Sequence, residues 1–162
     1  MVTIRQFTHA DAAAVQRGLY PDMTIPEIEQ MIDDWNSGVF QGRRFEMFAV
    51  VSEASVVGCV SLYEHSARVS SVGAEIFPRE RGKGAAAEAV SLLLHHASEE
   101  GCRIILDQVR ADNAASIRLH EKLGFESDGC VYRNRRGHEV VLYLKPIPQR
   151  HRPDRPPKPE EL

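Results

Sequence analysis

The residue types best suited to chemistry stand together at positions 72–86. There an apolar run ends at Phe77, Pro78 stops it, and Arg79, Arg81, Gly82, Lys83 and Gly84 follow. An alanine- and leucine-rich stretch begins at Ala85, a composition that favours helix. The glycines therefore mark the point where a strand hands over to a helix. The first amides of a helix have no internal partner, and the peptide dipoles add a partial positive charge there. Gly82 and Gly84 present no side chain to keep an anion away, and Arg79, Arg81 and Lys83 add charge. Such a turn suits a phosphate or diphosphate; a plain solvated helix start is the alternative. Two other phosphate loops are excluded. A Walker loop ending at Gly82-Lys83 needs glycine at 77 and Ser or Thr at 84, where Phe77 and Gly84 stand. A dinucleotide fingerprint needs its third glycine at 87, which is Ala87.

The pattern that remains is Arg/Gln-x-x-Gly-x-Gly/Ala, met by Arg79, Gly82 and Gly84. A second segment follows downstream, Asn113-Ala-Ala-Ser-Ile-Arg-Leu-His-Glu-Lys-Leu-Gly-Phe125. On these two segments, about residues 72–126, the chain resembles the GNAT superfamily of acetyl-CoA-dependent N-acetyltransferases. The superfamily's counterpart of the second segment is Asn-x-x-Ala/Ser…Tyr-Glu-Lys-Leu-Gly-Phe. The resemblance implies transfer of an acetyl group from acetyl-CoA directly to a primary amine, a small molecule or a peptide N-terminus, in a ternary complex. It also implies that the backbone amides of Arg81, Gly82, Lys83, Gly84 and Ala85 hold the pyrophosphate. The pantetheine arm would then lie beside the strand at Glu75, Ile76 and Phe77, where a bulge splays that strand from its neighbour at 103–109. A freed amide near Phe77 would bind the thioester oxygen. Asn113 is implied as a cofactor contact, although capping of its own helix explains it equally well. Ser116 and Lys122 are implied as contacts to the arm or the nucleotide phosphates.

Such a transfer needs an anchored cofactor, a stabilised thioester oxygen, a deprotonated amine and a proton for the leaving thiolate, and in-line binding of both reactants supplies much of the rate. Many members of the superfamily place a tyrosine seven residues after the asparagine to serve the thiolate. Here that position is His120, which can donate as an imidazolium or hydrogen-bond sulfur while neutral. Glu75 is the candidate base, with Glu64 and His65 in reserve. His95 and His96 are adjacent, point different ways and suit no metal, so no metal is expected. The alternative function is an acyl-CoA-binding regulatory or sensor module with little turnover, which the replacement of tyrosine by His120 keeps open.

The elements around these residues follow from periodicity and punctuation. The expected order is β-α-α-β-β-β-α-β-α-β-β, a mixed sheet with helices on both faces, an α/β arrangement that agrees with the GNAT layout. Strands are expected at 2–7, 45–52, 56–64, 68–77, 103–109, 125–133 and 138–144, and helices at 9–19, 24–37, 83–99 and 113–123. Thr24 and Glu27 make a capping box for the second helix, whose Glu27, Glu29, Asp33 and Asp34 lack basic partners in the helix. That helix is either a solvated face or an acidic wall for a cationic acceptor. The closing turn carries Arg133, Arg135, Arg136 and His138, which points to the opposite kind of acceptor. The chain of 162 residues is 43% apolar and 27% charged with a net charge of −3, so one globular domain over 1–145 is expected and nothing global calls for nucleic acid. No apolar run reaches the length of a membrane span, and the start lacks a signal peptide's apolar core. Cys59, Cys102 and Cys130 show neither metal spacing nor a disulfide framework, which suggests a cytoplasmic protein. Residues 146–162 hold six of the nine prolines and are expected to form an extended or disordered tail. A homodimer, with the tail held by a second subunit, is one expected assembly.

Overall fold

The computed structural model describes residues 1–149. The chain begins with β1 (Val2–Gln6), a 3-10 turn (His9–Asp11), α1 (Ala12–Gly18), α2 (Ile25–Asn36), the short β2 (Val39–Phe40), β3 (Arg43–Ser52), β4 (Ser55–Ser66) and β5 (Val69–Ile76). A second 3-10 turn (Pro78–Glu80) leads to α3 (Ala85–Glu99), β6 (Ile104–Arg110), α4 (Ala114–Lys122), β7 (Val131–Arg133) and β8 (Glu139–Pro146). The main sheet runs in the order β1-β3-β4-β5-β6-β8-β7, with β2 paired to β3. Every pairing is antiparallel except β5 with β6. The result is the expected mixed α/β sheet.

The helices α1, α2 and α3 cover the sheet with the faces their sequences make apolar. On α3 the buried residues Ala85, Ala89, Val90, Leu93 and Ala97 recur at helical spacing and pack on Val50, Val60 and Ile105. On the opposite face Ala12 and Val15 of α1 and Ile28 and Ile32 of α2 close over Ala49 and Cys59. Thr24 caps α2 as expected, its Oγ accepting from the Glu27 amide while Glu27 reaches back. Between β3 and β4, Glu53 and Ala54 both take positive φ, 48° and 65°, a two-residue geometry whose twist matches the strands it joins.

Two expected elements differ. The first helix opens as a 3-10 turn rather than as α-helix from residue 9, because Asp11 turns back to accept from the Thr8 amide and from Arg5. The strand expected at 125–133 is interrupted. Glu126 bridges Leu144, and ladder pairing resumes only at Val131. In the gap Ser127 Oγ accepts from the Gly129 amide and Asp128 Oδ1 from the Cys130 amide, local bonds that compete with a ladder. The first residues of the expected tail remain attached to the sheet. Pro146 closes β8, Ile147 is buried, and Gln149 Nε2 donates to the carbonyl of Cys102 at 2.9 Å. The rest of that tail lies outside the described residues.

Candidate active site

The site is built where β5 and β6 part. These strands pair only at Val69 with Ile104 and Ser70 with Ile105, yet β5 continues to Ile76 and β6 to Arg110. The expected bulge in β5 is not what parts them. The β4–β5 register shifts only at Glu64/Ser66, opposite the start of β5. A cavity of about 1220 Å³ occupies the fork. It opens to both faces of the sheet: Asp107, Ser116, Leu119 and His120 line it on the α3/α4 side, and His65, Ser71, Leu106 and Arg110 on the other.

The register of β5 decides which amides face this cavity. The Phe77 amide donates to the Val57 carbonyl at 2.8 Å. In an antiparallel ladder the direction alternates along the strand, so Val72, Ala74 and Ile76 direct their amides toward β6. The Val72 amide donates to Asp107 Oδ1 at 2.9 Å. The Phe77 amide is already engaged in the sheet, so the neighbouring amide directed to the β6 side is that of Ile76, although Ile76 itself does not line the cavity.

Farther along, Gly84 is the N-cap of α3 with φ +83° and Gly82 has φ +79°. No atom lies within 4 Å of a Cβ built on either, so both open onto free space. Ala85 begins the helix there. The basic side chains are less free than their sequence suggests. Arg81 Nε donates to the Ile76 carbonyl at 2.9 Å, and Lys83 Nζ pairs with Glu80 at 2.7 Å. Arg79 is exposed on the 3-10 turn. None of these residues lines the main cavity, so an occupant spanning turn and fork must run along the outside of β5's end.

Asn113 Oδ1 accepts from the Ser116 amide at 3.1 Å, which is helix capping, while Ser116 itself lies on the cavity wall. Lys122, at the exposed end of α4, does not reach that wall. Glu75 is exposed and sits on the α1/α2 side across from Cys59, its ladder partner. Burial, and then the charge of Glu75, push the Cys59 thiol up to about 12, so it stays protonated. His65 lines the cavity and its Nε2 meets Ser71 Oγ at 3.0 Å. His96 and His95 pair with Glu46 and Glu99, and among the described residues no three His, Cys, Asp or Glu side chains gather as a metal site.

His120 is buried, and both of its ring nitrogens are engaged. Nε2 lies 2.8 Å from Asp107 Oδ2 and Nδ1 lies 2.7 Å from the Ser116 carbonyl. Burial works against a charged ring here, but the bonds to Asp107 and to the Ser116 carbonyl outweigh it and raise the pKa above the ordinary histidine value. Ser116 Oγ stands 3.4 Å from Nδ1, and both residues line the cavity. Asp107, on the cavity wall and bonded to His120, is the candidate site residue that sequence reasoning missed. The available signal was an acid at an inward position of a strand whose other inward residues are Ile105 and Val109.

The acidic and basic surfaces are also separated. Glu27 is spent on the Thr24 cap, Asp33 pairs with His9, Asp34 accepts from Gln30, and no α2 residue lines the cavity. The closing turn does: Arg133, Arg135, Arg136 and His138 all contribute to its rim.

The architecture is thus a mixed sheet forked between two parallel strands, with a glycine turn opening the helix after the first. Residues 2–126 match the family model of the acetyltransferase (GNAT) domain, and the chain belongs to that family of acetyl-CoA-dependent transferases. The chain is 38% identical over 50 residues to an L-methionine sulfoximine/L-methionine sulfone acetyltransferase of Pseudomonas aeruginosa, covering 31% of this chain and 29% of that one. It is 29% identical over 107 residues to an uncharacterised prophage-derived N-acetyltransferase of Bacillus subtilis, covering 64% of this chain and 60% of the relative. Both matches thus span less than two thirds of the relative's length. Among solved structures, the Salmonella typhimurium acetyltransferase that modifies the N-terminal serine of ribosomal protein L7/L12 superposes with a TM-score of 0.75 at 17% identity, covering 91% of this chain and 95% of that one. Spermidine N-acetyltransferase from Vibrio cholerae, solved with CoA and spermine, does so with a TM-score of 0.70 at 19% identity, covering 90% and 95%.

Proposed function

We propose that this chain transfers the acetyl group of acetyl-CoA directly to a primary amine that itself carries an anionic group, with both reactants bound at once. The observation that carries the reading is the fork: a cavity open on both faces of the sheet lets a thioester enter from the α3/α4 side and an amine meet it from the other.

The residues fit such a donor. Uncapped amides at the start of α3, reached past Gly82 and Gly84, suit a diphosphate. The Ala74 and Ile76 amides suit the arm as an added strand would, with Ile76 aimed at the thioester oxygen. Acetyl-CoA supplies the activated acetyl group. Glu75, beside Ile76 and on the amine's side, takes the ammonium proton through water. His120 supplies a proton to the leaving thiolate, relayed by the Ser116 hydroxyl at its Nδ1. A covalent acetyl-cysteine route has no support, because Cys59 is held protonated, Cys102 is buried, and none of the three cysteines lines the cavity.

The acceptor class follows from the rim. Arg110, Arg133, Arg135 and Arg136 line the cavity. Arg110 pairs with Asp112 and Arg133 with Glu139, which leaves Arg135 and Arg136 without an ion pair among the described residues. Asp107, the one carboxylate on the wall among those residues, is engaged with His120 and Val72. Such a wall attracts a carboxylate or phosphate and repels a polycation. An α-amino acid or the N-terminus of an acidic peptide meets that requirement; the named substrates of the Pseudomonas relative are amino acids of this kind. Thiol release measured with a panel of amino acids, acidic peptides and polyamines tests the assignment. Turnover with an anionic amine and none with spermidine is expected. Preference for a polyamine, or CoA retention without amine-dependent thiol, contradicts it.

A further inference from the structure

We infer that Asp107 is a positioning residue that holds the fork open, a strut between β5 and β6 that is braced by His120. The inference rests on the fork being the acetyl-CoA slot.

Beyond Ser70 and Ile105, the last backbone-paired residues, the next amide of β5 directed at β6 is that of Val72. In a continuous parallel ladder it would find a backbone carbonyl, with the strands about 4.8 Å apart. Instead it donates to Asp107 Oδ1 at 2.9 Å. A carboxylate thus occupies the place of a ladder partner, and the two backbones stand a side chain's length apart. The second oxygen, Oδ2, lies 2.8 Å from His120 Nε2, and Nδ1 of that ring lies 2.7 Å from the Ser116 carbonyl. Four groups are therefore linked in series: a β5 amide, a β6 carboxylate, an α4 imidazole and an α4 carbonyl. Both side chains are buried, Asp107 at 4% exposure and His120 at 8%, and no buried side-chain nitrogen or oxygen among the described residues lacks a partner. Low polarity strengthens such a chain while it is complete and penalises any missing member. Phe125 and Tyr143 flank the imidazole at centroid distances of 4.7 and 5.3 Å, so the ring cannot swing out without moving them. The strut fixes the distance between Val72 and α4, and with it the width at the root of the cavity.

An ordinary buried ion pair would stabilise the fold without controlling the slot. Two variants and one measurement on the unaltered chain separate these roles. Asp107→Asn keeps a carbonyl for the Val72 amide but removes the charge; acetyl-CoA affinity should stay within about twofold while the titration of His120 moves down. Asp107→Leu removes the acceptor; in folded protein, acetyl-CoA affinity should fall at least about tenfold with kcat falling too, and Asn but not Leu should preserve KM. Equal acetyl-CoA affinity in the Leu variant and the unaltered chain overturns the strut. Should Asp107→Leu not fold, hydrogen exchange of the unaltered chain without cofactor decides. The Val72 amide should be protected while those of Ala74 and Ile76 exchange fast, and a Val72 amide as fast as Ala74 overturns the proposal. Exchange needs no acetyl-CoA, so failure of the unaltered chain to bind it would sink the active-site reading and leave the strut to be judged by exchange alone.

Discussion

Gly18, the last residue of α1, lies flat against the ring of Phe77: a Cβ on Gly18 would stand 2.5 Å from Phe77 Cγ. This contact seats the first helix against the end of β5, one residue beyond the amide assigned to the thioester oxygen. Gly18→Val must displace the ring, and overpacking of this kind costs about 1–3 kcal/mol. The variant should unfold at lower denaturant and show a raised KM for acetyl-CoA, as read by chemical denaturation and initial rates.

Gly84 takes φ +83° with open space around it. Gly84→Val should cost on the order of 1 kcal/mol of stability, because a side chain in left-handed backbone is strained. It should weaken CoA binding far more, on the order of tenfold or beyond, since the side chain fills the anion's seat. Calorimetric titration with CoA, alongside thermal unfolding, compares the two losses.

His120 should titrate above its ordinary value in the folded chain. The titratable groups facing it are Asp107 on β6 and Tyr143 on β8. Since folding raises this pKa, the stability it contributes is complete below the unfolded value of about 6.5 and fades as pH rises through the raised one. NMR titration of the ring, with unfolding free energy followed across neutral to alkaline pH, checks the sign. His120→Phe should lower kcat about 10²-fold while changing cofactor affinity much less; equal losses in both would contradict the proton-donor role.

Arg135 and Arg136 make no ion pair among the described residues and line the amine-side rim. Changing both to Glu should raise KM for an anionic amine about tenfold or more while leaving KM for acetyl-CoA nearly unchanged. The loss should shrink in high salt. Steady-state kinetics at two ionic strengths measure both effects.

What could be read from the sequence was whatever is local. Gly82, Gly84, Asn113 and His120 announce themselves by spacing within one turn and one helix, and the apolar periodicity of α3 and β3 sets the layers. Relationships that depend on strand register were out of reach. Whether Phe77 or Ile76 turns its amide to the fork is a question of parity, fixed by the Phe77–Val57 bond. Asp107 meets Val72 across 35 residues and His120 across 13, and neither spacing has a local signature. The choice between the acidic α2 and the basic closing turn likewise needed their positions around the cavity. The interruption before Val131 came from side-chain turns at Ser127 and Asp128 that compete with pairing.

The central claim is that amides of β5, freed where it leaves β6, receive the thioester. Amide NMR shifts on adding acetyl-CoA test it most directly. The account predicts that the Ile76 amide proton moves downfield with acetyl-CoA, and less with CoA, which has no acetyl oxygen, while the Phe77 amide stays in its ladder bond. Saturating acetyl-CoA that leaves the Ala74 and Ile76 amides unmoved would contradict it.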